Sequence, residues 1–204
     1  MESILVNVKS TDGGPATATL VAQALRSRKT FVFGELLSLP QVQKLRNSAE
    51  TAPMFKLLEI FAFGTYLDYV QTNGLPELND VQIAKLRQLT VVSLAAKSKS
   101  LDYSQILRET GVNSVREAED LVIACVYDDL LKARLDQRNQ KVEVQWCAAR
   151  DVQPATIDHM IAKLSAWCNS ADDVLRRIDQ AMEEASKQKQ IRNDEKKLYV
   201  ETRF

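Results

Sequence analysis

His159 is the only histidine in the chain, and it restricts the available chemistry more than any other residue. A hydrolytic zinc site of the metalloprotease kind needs two histidines together with carboxylates, which one imidazole cannot supply. A nucleophilic serine or cysteine would have to use His159 as its base. Lying beside Asp158 in an amphipathic stretch, it reads as an ordinary surface or half-packed side chain. Cys125, Cys147 and Cys168 are odd in number and widely spaced, which suits neither a disulfide framework nor the close pairs of a zinc site, and points to a reducing compartment. Cys125 sits in the apolar run from Leu121 to Tyr127 without a basic neighbour to lower its thiol pKa, so core packing is expected. The six glycines form no phosphate cradle or dinucleotide fingerprint. These residues predict a protein that is not an enzyme, with no catalytic residue, metal or cofactor.

With 204 residues, of which 45% are hydrophobic, the chain can bury a sizeable core. Its 27 basic residues balance 27 acidic ones, so no long-range field draws it to nucleic acid or an anionic membrane. No apolar run reaches the roughly 18 residues that span a bilayer. A soluble, intracellular protein without a membrane role is expected.

The elements that carry these residues read as mostly helical. Thr11 to Pro15 is a loop-like lead into a helix bearing Leu20, Val21, Ala24 and Leu25 on one face. Pro40 and the polar stretch from Asn47 to Thr51 mark breaks. Met54, Leu57, Leu58 and Phe61 recur at helical spacing up to Gly64, and a short helix from Tyr66 to Val70 should fold back. Asn79 and Gln82 have capping-box spacing, so the next helix starts near Asp80, and its apolar residues from Ile83 to Leu94 call for neighbours on two sides.

From Leu101 the pattern changes. Capping pairs Asp102/Gln105 and Ser114/Glu117 predict helices over 103–110 and 115–131, joined at Gly111 with helix-turn-helix spacing. Ala133 and Leu135 alternate with charged residues, and Val142, Val144 and Trp146 alternate with Glu143, Gln145 and Cys147, which reads as a β-hairpin. Three helices and a hairpin make a winged helix. Pro154 opens a long helix with Ile157, Met160, Ile161, Leu164 and Trp167, then Val174, Leu175, Ile178 and Met182, with an interruption expected near Asn169-Ser170 and a frayed end after Ala185.

Winged helices often place their second helix in the DNA major groove. Here that helix carries Arg116 against Glu117, Glu119, Asp120, Asp128 and Asp129, a set that repels phosphates. Nucleic acid is therefore the less favoured partner.

Several segments match a known family. Gln82 to Ala95 (QIAKLRQLTVVSLA) resembles the helix that precedes the winged-helix half of a PCI domain, and Phe31 to Pro40 (FVFGELLSLP) resembles the opening of its helical half. Leu57 to Tyr66 with Asp68 and Tyr69, then Val115-Arg116-Glu117, Leu135-Asp136-Gln137 and Arg150-Asp151 with Pro154, follow in the family's order. Coverage runs from about Phe31 to about Ile178, nearest to the subunit-seven family of the COP-nine signalosome, with lid and initiation factor three subunits related. The resemblance implies a helical-repeat-like half over 1–99, a winged helix over 100–152 and a C-terminal helix or helices over 153–204. It further implies a non-catalytic scaffold in the cytoplasm and nucleus, within the assembly that removes the ubiquitin-like modifier Nedd from cullins. Partners would be other signalosome subunits, of both PCI and metalloprotease fold. The implied interface comprises Ala133, Leu135, Val142, Val144 and Trp146 of the hairpin and Val174, Leu175, Ile178 and Met182 of the long helix. Which hairpin strand is the free edge stays open. Family members continue into a charged tail, whereas this sequence ends at Phe204, so no tail function is carried over.

Overall fold

The computed structural model describes residues 6–8, 10–11, 14–27, 30–48 and 50–201. Asp12 and Gly13 of the expected lead, and Ala49 of the expected break, lie outside the described residues. The chain divides into two compact units, Met1–Val152 and Gln153–Phe204.

The first unit opens with α1 (Pro15–Arg26), α2 (Gly34–Ser38), α3 (Pro40–Lys44), α4 (Ala52–Phe63) and α5 (Tyr66–Gln71). Proline occupies the first turn of α1, α3 and α4, where its missing N–H is no loss. These helices bury Val21, Leu25, Phe33, Leu36, Leu58 and Phe61 in one core. The spine is α6 (Asp80–Lys97), which starts where Gln82 Oε1 accepts the Asn79 N–H at 3.0 Å. Leu86 and Leu89 of α6 complete that first core, while Val91, Val92, Leu94 and Ala95 enter a second. Two neighbouring layers thus share one helix, as its broad apolar coverage requires.

The second core belongs to a winged helix of β1 (Ser100–Asp102), α7 (Tyr103–Thr110), α8 (Val115–Tyr127), β2 (Leu131–Asp136) and β3 (Lys141–Cys147), with strand order β1-β3-β2. Gly111 ends α7 at φ 62, and a Cβ there would stand 2.7 Å from Tyr66 Cε1, so both backbone and space select glycine. Ser114 Oγ accepts the Glu117 N–H at 3.2 Å and starts α8.

Four details differ from the sequence expectation. First, a third strand, β1, pairs with β3, and Asp102 flanks α7 without a side-chain cap, 3.8 Å from Lys141; three residues are too few to show a period. Second, α8 ends at Tyr127 rather than Leu131, because Asp129 takes φ 55 and the Leu130 N–H closes onto Cys125 O at 2.9 Å, swinging Leu130 and Leu131 into the core. Third, the β2–β3 register slips between Lys132 and Ala133: Ala133 pairs with Val144 and Lys132 with Trp146, leaving Gln145 unopposed. That bulge inverts the alternation beyond it. Trp146 is 50% exposed and Cys147 packs against the core.

Fourth, the second unit is one continuous helix, α9 (Ile157–Glu201), after a 3₁₀ turn at Pro154–Thr156. It neither breaks at Asn169-Ser170 nor ends near Ala185. Asn and Ser cost a helix only about half a kcal/mol each. The apolar positions stay in phase across them.

Candidate protein-interaction surfaces

Three distant signature segments converge on two adjacent residues of a fourth, Arg150 and Asp151, which follow the sheet. The Arg150 guanidinium donates to Gly64 O at 2.7 Å, to Phe61 O at 2.8 Å and to the Ser93 hydroxyl. Phe61 and Gly64 lie at the C-terminal end of α4, where the last carbonyls lack intrahelical partners, so Arg150 caps that helix from across the fold and complements its dipole. Burial lowers the Arg150 pKa to about 10, with the nearby Asp151 and Asp68 carboxylates acting against the shift. Asp151 Oδ2 accepts the Phe33 N–H at 2.6 Å at the start of α2. A Cβ on Gly34 would come within 2.6 Å of Asp151 Oδ1, which explains a glycine there. The spine helix is also pinned by Lys85, whose ammonium donates to Leu25 O at 3.3 Å and Ser27 O at 2.8 Å at the end of α1 and lies 4.8 Å from the Phe33 ring centre. Burial lowers the Lys85 pKa to about 8. These contacts make the helical layer and the winged helix one compact body from which surfaces project.

Three surfaces project from the two units. In the sheet, β3 is central and paired on both sides, so Val142 is fully buried and Val144 nearly so. The outer strand on the hairpin side is β2, where Ala133 and Leu135 are half-buried and Lys132 and Arg134 are exposed. Trp146 stands on the outward face with the Lys132 ammonium 5.9 Å from its ring centre. An edge strand ringed by basic side chains is protected against indiscriminate pairing, yet it keeps a row of backbone donors and acceptors for a specific strand.

The second surface is α8, with Arg116, Asp120, Ile123 and Tyr127 exposed. Glu119 turns aside to accept the Tyr103 hydroxyl at 3.0 Å; burial first, and then this bond, push the Tyr103 pKa up to about 12. Asp128 Oδ2 accepts from Gln88 Nε2 at 2.7 Å beside a cleft of about 230 Å³ lined by Val81, Ala84 and Lys85. Of the carboxylates expected to oppose phosphates, Glu117 and Asp120 stand exposed on α8, whereas Asp128 and Asp129 lie beyond its end.

The third surface is α9. Every described side chain between Ile157 and Leu198 is exposed, and the apolar ones repeat at alternating steps of four and three through Leu164, Leu175, Ile178 and Met182 to Ala185. Met160, Trp167 and Val174 widen this seam on one side. A stripe with this period is the pattern of helix-on-helix packing.

Chemistry is sparse by comparison. His159 and Cys168 are exposed on α9, while Cys125 is buried in the winged-helix core, with its thiol pushed up to about 12 by burial and by Asp128. Among the described residues no group of three His, Cys, Asp or Glu could hold a metal, and no helix is long and apolar enough to cross a membrane. The role of Arg150 and the outward orientation of Trp146 were missed from sequence: the first requires knowing which carbonyls come near, the second requires the bulge.

A family profile described as "PCI domain" matches residues 64–146, and one described as "COP9 signalosome complex subunit 7a helix I domain" matches residues 156–202. The chain is 42% identical over 190 residues to COP9 signalosome complex subunit 7a of Mus musculus, covering 93% of this chain and 68% of that protein. It is 36% identical over 193 residues to COP9 signalosome complex subunit 7 of Drosophila melanogaster, covering 94% and 69%. A protein named eukaryotic translation initiation factor 3 subunit M of Yarrowia lipolytica is 32% identical over 185 residues, 86% of this chain but only 46% of that protein. With relatives of the first kind matched over most of both chains, this chain belongs to the COP9 signalosome subunit 7 family of PCI-domain proteins.

Proposed function

We propose that the chain is a non-catalytic scaffold subunit of the signalosome, the assembly that removes Nedd from cullins, and that it binds other subunits through the β2 edge and the α9 seam. The observation that carries this reading is α9: a 45-residue helix with its apolar side chains in water along one continuous face. Such a face in an isolated helix is costly to leave uncovered and is best satisfied by partner helices. Ala133 and Leu135 serve the sheet surface from the edge strand and Trp146 from its outer face, while Val142 and Val144 support it from within. Val174, Leu175, Ile178 and Met182 serve the bundle, whose partners include both PCI and metalloprotease-fold subunits. The protein works in cytoplasm and nucleus, where fractionation should find it in both.

The test is co-purification of the full chain from cell extract followed by mass spectrometry, beside a Leu175→Asp/Ile178→Asp variant. Recovery of signalosome subunits with the unaltered chain and their loss with the variant is expected. Recovery of initiation factor three subunits in their place would favour that related complex, as the match to its subunit M invites. Recovery of neither overturns the scaffold reading.

A further inference from the structure

The alternation that places Ile178, Met182 and Ala185 on the seam does not stop with the apolar residues. Continued in steps of four, three and four, it lands on Lys189, Arg192 and Lys196. The seam is thus apolar for three heptads from Leu164 to Ala185 and then cationic, while the helix runs on unbroken to Glu201. All three side chains are exposed and none makes an ion pair among the described residues. At 100° per residue they lie within about 60° of one another, with Asp194 on the far side of the helix and Glu195 off the seam.

Lys187 and Lys197 stand off the seam, as charges of a solvated helix end do, but each seam position from 189 to 196 holds a cation where the seam upstream is apolar. Preference for cations near a helix C-terminus extends only over the last turn, and Lys189 and Arg192 lie upstream of it. Charged residues at positions that otherwise face a partner are a device for fixing register and partner choice, since they are tolerated only where opposite charge meets them.

We propose that Lys189, Arg192 and Lys196 form an electrostatic register site that receives the acidic end of a partner subunit's helix packed along the same seam. The inference rests on the scaffold reading above and specifies the chemistry of its partner: a helix apolar along its length, with aspartate or glutamate at the end that meets these cations. Apolar burial along Leu164 to Ala185 supplies the affinity. The cationic end sets alignment and rejects helices of the wrong charge.

The experiment uses the full chain co-expressed with the remaining signalosome subunits, treated with a carbodiimide that joins amines to carboxylates without a spacer. Crosslinks from Lys189 and Lys196 to carboxylates of a helix in another subunit are expected. A Lys189→Glu/Arg192→Glu/Lys196→Glu variant should bind those subunits about tenfold more weakly, from three partly exposed pairs, and lose most of the salt dependence of binding. Absence of such crosslinks, together with unchanged affinity and salt dependence, overturns the proposal. So does an effect confined to a single-stranded oligonucleotide probe, which would assign the cations to a nucleic acid. The Leu175→Asp/Ile178→Asp variant separates the two readings: if it still assembles, the bundle reading itself has failed, whereas loss with that variant alone leaves the scaffold standing without the register site.

Discussion

Replacing Arg150 with methionine keeps the aliphatic stem and removes the guanidinium. The substitution deletes the bonds to Gly64 O and Phe61 O and orphans both carbonyls, while Leu89 O keeps its partner because Ser93 Oγ donates to it at 3.0 Å. Leaving a half-buried carbonyl unpaired costs about 1–3 kcal/mol. Against this stands relief of burying the cation, which the lowered pKa registers. The net loss should be about 2–4 kcal/mol. Urea unfolding of the full chain, followed by Trp146 fluorescence and by circular dichroism, measures it, and hydrogen exchange locates it. Amides from Gly64 to Asp68 should lose protection before those of β3. Arg150→Lys, which offers a point donor in place of a planar fork, should fall between the two. A midpoint shift worth under about 1 kcal/mol, with exchange near Gly64 unaltered, would refute the idea that this residue joins the layers.

Lys85 binds its proton less tightly when folded, so between pH 8 and 9 the unfolded chain carries more protons and stability should rise by roughly 1 kcal/mol; Lys85→Met should flatten that rise, and an unchanged slope contradicts the burial argument. Above pH 9 the raised thiol of Cys125 works in the opposite sense, because the folded state then holds the proton the unfolded state has lost. Trp146→Ser should cost less than about 1 kcal/mol, as befits a half-exposed ring, whereas an inward tryptophan would cost about 3–5 kcal/mol, so calorimetry decides whether the bulge exists. Cys168, exposed and on the α9 seam, should react with iodoacetamide in the isolated chain and be shielded in the assembled complex, with Cys125 labelled only on unfolding; equal labelling of Cys168 in both states counts against bundle packing.

Much of the fold was legible because it is written locally. The start of α6 at Asp80 follows from Asn79 and Gln82 three residues apart, the turn at Gly111 from a residue tolerant of positive φ, and the winged helix from a change of period at Leu131. Local signals also produced the errors. The pair Asn169-Ser170 has cap chemistry, but propensity is weak and the in-phase apolar stripe prevailed. The apolar residues Leu130 and Leu131 extended the helical reading of α8 past its end, since either a strand or a helix could bury them.

The sequence by itself determined most of the elements, the family and the poverty of reactive groups, because residue type, period and count are properties of the chain. Tertiary structure decided which groups meet. It decided that β3 is central and β2 the outer strand, since a three-residue strand from ahead of the hairpin pairs with β3. It turned Trp146 outward through one unopposed residue, and it brought Arg150 to carbonyls 86 and 89 residues away. Pairing and approach of this kind depend on which distant surfaces close together, and no local period encodes that.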